Sequence, residues 1–223
     1  MKLLALDSAT EACSAALLQD DAVSERFEII GRGHAERLLP MADALLREAG
    51  IGIGDVDAIA FGRGPGSFTG LRIAAGIAQG LAAGARLPVA PVSNLAAIAA
   101  AGARRSGATC ILACLDARMG EVYWAAYEMR DGVPVAVTDE RLSKPDAVAP
   151  PHPGPWHGAG HGFGAYPALA ERLGRRPAGI DATLLPRASD IARLGAVDLA
   201  AGRTVAAPRA LPVYLRNDVV HRR

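Results

Sequence analysis

Hydrophobic positions fall into short runs at the start of the chain. Residues 3–6 are continuously apolar and end at Asp7, a polar turn covers residues 8–12, and a second apolar run covers residues 13–18. Asp20 and Asp21 mark another turn before a third run at residues 22–30. Short apolar runs bounded by polar turns predict three strands paired antiparallel. The period then changes. Leu38, Met41, Ala42, Leu45 and Ala49 recur at helical spacing, which predicts an amphipathic helix over residues 34–49 with Pro40 offsetting its first turn. A buried strand is expected at residues 58–61, a helix at 71–85, a strand at 88–92, and a helix capped by Ser93 that runs to about residue 103.

The same sentence starts again at residue 110. An apolar strand ends at Asp116, a five-residue turn follows, and a second apolar strand occupies residues 122–127. Asp7 and Asp116 stand at equivalent places, so the pattern is an internal duplication and predicts two lobes, residues 1–104 and 105–223. The Pro/Gly-rich stretch 149–162 reads as a loop, helices are expected at 166–173 and 189–201, and residues 210–218 as an extended tail. The last helix and the tail are expected to return to the first lobe.

Between the strand at 58–61 and the helix at 71–85 lies GRGPGSFTG, residues 62–70. Strand, glycine loop and helix form the layout that points backbone N–H groups at an anion, and equally a tight strand-to-helix turn. No Lys-Ser/Thr pair follows, so it is not a P-loop. In the helix, Gly76, Gly80 and Gly84 form one stripe, each costing about 1 kcal/mol relative to alanine. Such a stripe suits close approach of another helix, from this chain or from a partner.

Composition narrows the classes. Apolar residues make up 51% and charged residues 21% of 223, which is a folded globular protein. Basic and acidic residues number 24 and 23, so there is no general electrostatic footprint for nucleic acid. No run is apolar and long enough to cross a bilayer, and the strand at residue 3 leaves no room for a signal peptide; the expectation is a cytoplasmic protein. Cys13, Cys110 and Cys114 lie in apolar runs and read as small buried hydrophobes.

Candidate chemistry is thin. A strand-end Asp in each of two lobes suits Mg-nucleotide binding, with Asp7, Thr10, Asp116 and Gly120 as the phosphate-turn positions. The first turn has no glycine, however, and the second only Gly120, so these positions read as degenerate. His157 and His161 have the spacing of two ligands on a helix, but the glycines around them predict a loop. His34 reads as a capping or surface residue. Ser67 and Thr69 have no base placed beside them, which leaves a hydrolase weakly supported.

Four segments together are specific: LALDSATEACSAAL, GRGPGSFTGLRIAAGIAQGLA, DARMGEVYWAAY and the tail PVYLRND. Over essentially its whole length the chain resembles the TsaB family, small non-catalytic subunits of the bacterial machinery that makes threonylcarbamoyladenosine in tRNA. The resemblance implies an α/β, two-lobed actin-like ATPase fold, shared with sugar kinases and chaperone ATPases. It implies pairing with the catalytic subunit TsaD through first-lobe helices, or with itself in TsaD's absence. The expected interface is Leu38, Met41, Leu45, Ile73, Gly76, Ile77, Gly80 and Gly84. The ATPase TsaE would join the assembly, and tRNA would be reached only through the complex. The relative TsaD binds metal through a His-x-x-x-His pair; the corresponding positions here are Asn94 and Ile98, and isoleucine cannot coordinate a metal. No metal, no cofactor and no catalytic residue are therefore expected. The alternatives are a free-standing ATPase or small-molecule kinase and, resting on fold analogy alone, a peptidase.

Overall fold

A computed structural model describes residues 1–152, 154–172 and 177–216. The chain divides into two compact units, residues 1–97 with 185–212, and residues 98–184 with 213–223.

The first unit is built on five strands: β1 (Lys2–Asp7), β2 (Ala12–Gln19), β3 (Ala22–Ile29), β4 (Ala58–Gly64) and β5 (Val89–Ser93), in the order β3-β2-β1-β4-β5. The first three pair antiparallel, and β4 and β5 join parallel. Central β1 is covered on both faces, which is why it reads as an unbroken apolar run. Leu4 and Leu6 share one face with Ile59 and Phe61, packed under α1 (His34–Glu48) and α2 (Phe68–Ala85). Leu3 and Ala5 share the opposite face with Ala58, Ala60 and Ala90.

A helix late in the chain covers that second face. With α3 (Asn94–Ser106), α4 (Gly162–Ala165) and α5 (Pro167–Arg172) intervening, α6 (Ala188–Ala200) lays Ile191, Ala192 and Ala196 on it. The approach is close because both surfaces are small: a Cβ on Gly195 would lie 2.7 Å from Ala60 Cβ. Orphan N–H groups at the start of α6 find partners on the sheet, Ala188 donating to Ser14 Oγ (2.9 Å) and Ser189 to Glu25 Oε1 (2.9 Å). Glu25 also holds Arg187.

The second unit repeats the topology. Strands β6 (Cys110–Asp116), β7 (Val122–Arg130), β8 (Val133–Ala136), β9 (Arg141–Ser143), β10 (Trp156–Ala159) and β11 (Pro177–Asp181) form a sheet ordered β11-β10-β6-β7-β8, with β9 also on β7. Strands β6, β7 and β8 pair antiparallel, and β10 and β11 join parallel. Strand for strand this is β5-β4-β1-β2-β3. It is the duplicated sheet of the actin-like ATPase fold.

Two sequence readings need correction. The stretch 149–162 is not all loop: β10 lies within it, buried between β6 and β11 as the counterpart of β4. Its four residues, WHGA, are too few for periodicity to register, and sheet neighbours on both sides supply the order. Strand β11, PAGID at the edge of the sheet, is also too short to show a period. The last helix belongs to the first unit, but the tail does not all return there: from residue 213 it belongs to the second unit; Asn217 and Asp218 lie outside the described residues.

Close packing under α6 makes a measurable contrast. Gly195→Ala is expected to lower stability by about 1–3 kcal/mol. Gly80→Ala, where an added Cβ meets nothing within 4 Å, is expected to raise it by up to about 1 kcal/mol. Urea unfolding of the two variants checks both; equal effects would contradict the packing.

Candidate functional site

The two strand-end aspartates have different surroundings, and neither faces an open cradle. Asp7 is fully buried. Asn94 Nδ2 donates to its Oδ1 at 2.5 Å, Ala9 N–H donates to its Oδ2 at 3.3 Å, and Asn94 Oδ1 accepts from Gly64 N–H at 2.7 Å. Burial pushes the Asp7 carboxyl up to about 7, against the two hydrogen bonds that favour its charged form; the nearby Glu25 charge adds to the rise.

What encloses Asp7 is the glycine loop. A Cβ on Gly62 would lie 2.0 Å from Asp7 Oδ1, one on Gly66 would lie 2.6 Å from Ala9 O, and one on Gly70 would lie 1.8 Å from Ser8 O. Ser8 Oγ donates to Gly70 O at 2.8 Å, and Ser67 N–H donates to Ala9 O at 2.7 Å. Thr10 is occupied too: Ala12 N–H donates to its Oγ1, and its carbonyl lies 3.0 Å from His34 Nε2. His34 is thus buried against the β1–β2 turn and is not a surface cap. The loop closes over Asp7, and these residues do not fit a nucleotide phosphate. Of the two readings of GRGPGSFTG, the tight turn is the one observed.

Asp116 is engaged within its own unit. Oδ1 accepts from Arg118 N–H (2.8 Å) and Tyr166 OH (3.1 Å), and Oδ2 pairs with Arg118 at 3.2 Å. Desolvation and the Asp116 carboxylate push the Tyr166 phenol up. Gly120 sits at φ +77° in the turn.

Asn94 and Ile98 open α3. Asn94 is committed to Asp7 and Gly64, and Ile98 is a fully buried apolar side chain. That donor set does not fit a metal. His157 stands on β10, buried, not in a loop; burial lowers its pKa, with Asp181 opposing. His161 precedes α4, so the two share no helical face. Ser67 Oγ caps α2 by accepting from Gly70 N–H. Cys13 and Cys114 are buried, Cys110 half-buried, and all three are free thiols.

The expected interface divides in two. Leu38, Met41 and Leu45 are 0%, 4% and 3% exposed and belong to the chain's own core, because the apolar stripe of an amphipathic helix faces its own sheet. They are not surface residues. On α1 the exposed apolar position is Leu39, at 46%. On α2, Gly76, Gly80 and Gly84 are exposed with nothing within 4 Å of an added Cβ, and Ile73 and Ile77 are half-buried beside them. Arg72 stacks over Phe68 at 3.6 Å at one end of this face. No other charge interrupts the face along Thr69, Ile73, Gly76, Ile77, Gly80, Ala83 and Gly84.

Comparison with known proteins decides the family. The model of a family described as TsaD, tRNA N6-adenosine threonylcarbamoyltransferase, matches residues 27–167. A TsaB protein of tRNA threonylcarbamoyladenosine biosynthesis from Escherichia coli K12 is 45% identical over 98% of this chain and 96% of its own. The chain belongs to the TsaB family. A Haemophilus influenzae TsaB is 40% identical over 98% of this chain and 95% of its own. The solved structure of YeaZ from Pseudomonas aeruginosa superposes with a TM-score of 0.90 at 48% identity, covering 96% of this chain and 99% of that one. Among TsaB-family features, the specific segments singled out in the sequence coincide with the loop around Asp7, the β6–β7 turn and the tail beside it. Sequence reasoning missed Asn94 as the partner of Asp7, and Tyr166 and Arg216 as partners of the β6–β7 turn; only the glycines gave a local signal.

Buried Asp7 links stability to pH. Between about pH 4 and 7 the folded chain keeps a proton that the unfolded chain releases, so this group's contribution to stability declines as pH rises through that window and is level above it. Asp7→Asn is expected to shrink the fall in unfolding free energy between pH 5 and pH 8 by about 1–3 kcal/mol. Urea titrations at the two pH values check this, and an unchanged pH dependence would refute it.

Proposed function

We propose that this chain is a non-catalytic partner subunit, required together with the transferase TsaD for threonylcarbamoyl transfer to the adenosine beside the tRNA anticodon. The observation that carries the reading is the exposed face of α2. An 18-residue helix exposes three glycines flanked by two half-buried isoleucines with a single charge, while its opposite face is committed to the core. Helices of single chains carry charged residues outward; one with a small, apolar outer surface suits a second helix lying against it. Partner residues on this reading are Ile73, Gly76, Ile77, Gly80 and Gly84, with Leu39 of α1 in place of Leu38, Met41 and Leu45. The face accepts TsaD, or a second copy of this chain when TsaD is absent. TsaE joins the larger assembly, tRNA is contacted through the complex, and the site of action is the cytoplasm.

The non-catalytic part of the reading is supported by the engagement of both aspartates within the chain, Asp7 with Asn94 and Asp116 with Arg118 and Tyr166. A free-standing ATPase would need them. Family membership supports the pathway and the 40–48% identities support transfer of the subunit role.

The test is reconstitution with TsaD, TsaE and the threonylcarbamoyl donor. Omitting this chain is expected to abolish tRNA modification, and full modification without it would overturn the proposal. Gly76→Leu with Gly80→Leu is expected to weaken association with TsaD at least about tenfold, the scale of a buried interface centre. Association unchanged in that variant would move the interface elsewhere.

A further inference from the structure

The β6–β7 turn, Ala117 to Glu121, follows the second strand-end aspartate and is the counterpart of the turn after Asp7, the position read from the sequence as a phosphate turn. Three of its five N–H groups are spent within the turn and on Asp116, and Gly120 N–H meets Tyr166. Ala117 N–H donates to Glu121 O at 3.0 Å, Arg118 N–H to Asp116 Oδ1 at 2.8 Å, and Glu121 N–H to Arg118 O at 3.1 Å. Arg118, Met119 and Gly120 follow one another at φ +60°, +58° and +77°. What the turn presents is carbonyl oxygen.

Those carbonyls are used. Arg216 Nη2 donates to Ala117 O at 3.1 Å and Arg118 O at 3.5 Å and pairs with Glu121 Oε2 at 2.7 Å. Nη1 meets Met119 Sδ at 3.4 Å. The Arg216 side chain is 16% exposed although it belongs to the tail, and Glu121 is 28% exposed. Two carbonyls, a carboxylate and a thioether around a planar five-donor cation form a receptor for a guanidinium. An anion placed there would meet oxygen lone pairs and a carboxylate.

We propose that this turn is a guanidinium-binding site whose ligand is the chain's own Arg216, so that one side chain latches the C-terminal tail onto the turn after the second strand-end aspartate. The inference concerns this chain alone and stands whether or not TsaD is the partner.

The test uses the full-length protein with methionine methyl groups labelled with carbon-13. The sequence has four methionines, of which Met119 touches the latch and Met41, in the core of the first unit, reports folding. Arg216→Ala is expected to move the Met119 resonance, leave Met41 in place, and speed chymotrypsin cleavage after Tyr214 at least tenfold. Millimolar methylguanidinium, against matched sodium chloride, is expected to return Met119 towards its wild-type position; inorganic phosphate and ADP are not. Arg216→Lys is expected to leave the tail released, because an ammonium does not reproduce the planar fork. Glu121→Gln supplies a second, milder disruption should Arg216→Ala unfold, and is expected to loosen the tail partially. The proposal is overturned if Met119 and tail cleavage ignore Arg216→Ala, if Arg216→Lys behaves as wild type, or if phosphate or ADP shifts Met119 where methylguanidinium does not.

Discussion

At Gly70 the backbone of α2 passes so close to the carbonyl of Ser8 that a single methyl group would lie 1.8 Å from its oxygen. The first turn of the helix is pressed onto the β1–β2 turn, and Ser8 Oγ and Ser67 N–H stitch the two together. Several features follow from this contact. It shuts Asp7 into the interior, which makes an asparagine beside it necessary, since a buried carboxyl needs partners for its oxygens. It also fixes where α2 leaves the loop, hence which of its faces meets the sheet and which is left outward.

The two units share a strand order, yet each engages its strand-end aspartate in its own way. In the first, a neighbouring loop closes over the carboxylate and an amide holds it. In the second, the turn engages three of its N–H groups within itself and on Asp116 and turns two carbonyls towards a cation. One strand order therefore accommodates two different hydrogen-bond arrangements at its strand-end aspartate, with no change to the sheet.

Much of this architecture was legible in the chain. The repeated strand–Asp–turn–strand phrase announced the duplicated sheet because β1, β2, β6 and β7 are long and buried enough to read as apolar runs. Strand β10 was hidden because WHGA owes its position to β6 and β11 and has no pattern of its own. At the site, the glycine stripe on α2 was visible as a spacing. The side of α1 that is buried was not, since an apolar stripe looks the same whether a sheet of the same chain or another protein covers it; Leu38, Met41 and Leu45 have the former, and Leu39 lies outside that stripe. The pairing of Asp7 with Asn94 and the seat of Arg216 join residues 87 and about a hundred positions apart, a distance over which no local periodicity carries information.

The covering of the first sheet by α6 has a consequence for the order in which the molecule can be assembled. Leu3, Ala5, Ala58, Ala60 and Ala90 lose their exposure only when residues 191–196 arrive. A ribosome makes those residues after the last strand of the second sheet, which ends at Asp181. The second sheet is thus complete in sequence while the first still has one bare apolar face. Although its strands are made first, the first sheet waits for a helix made after every strand of the second, and a nascent chain stalled before α6 carries an open apolar sheet face.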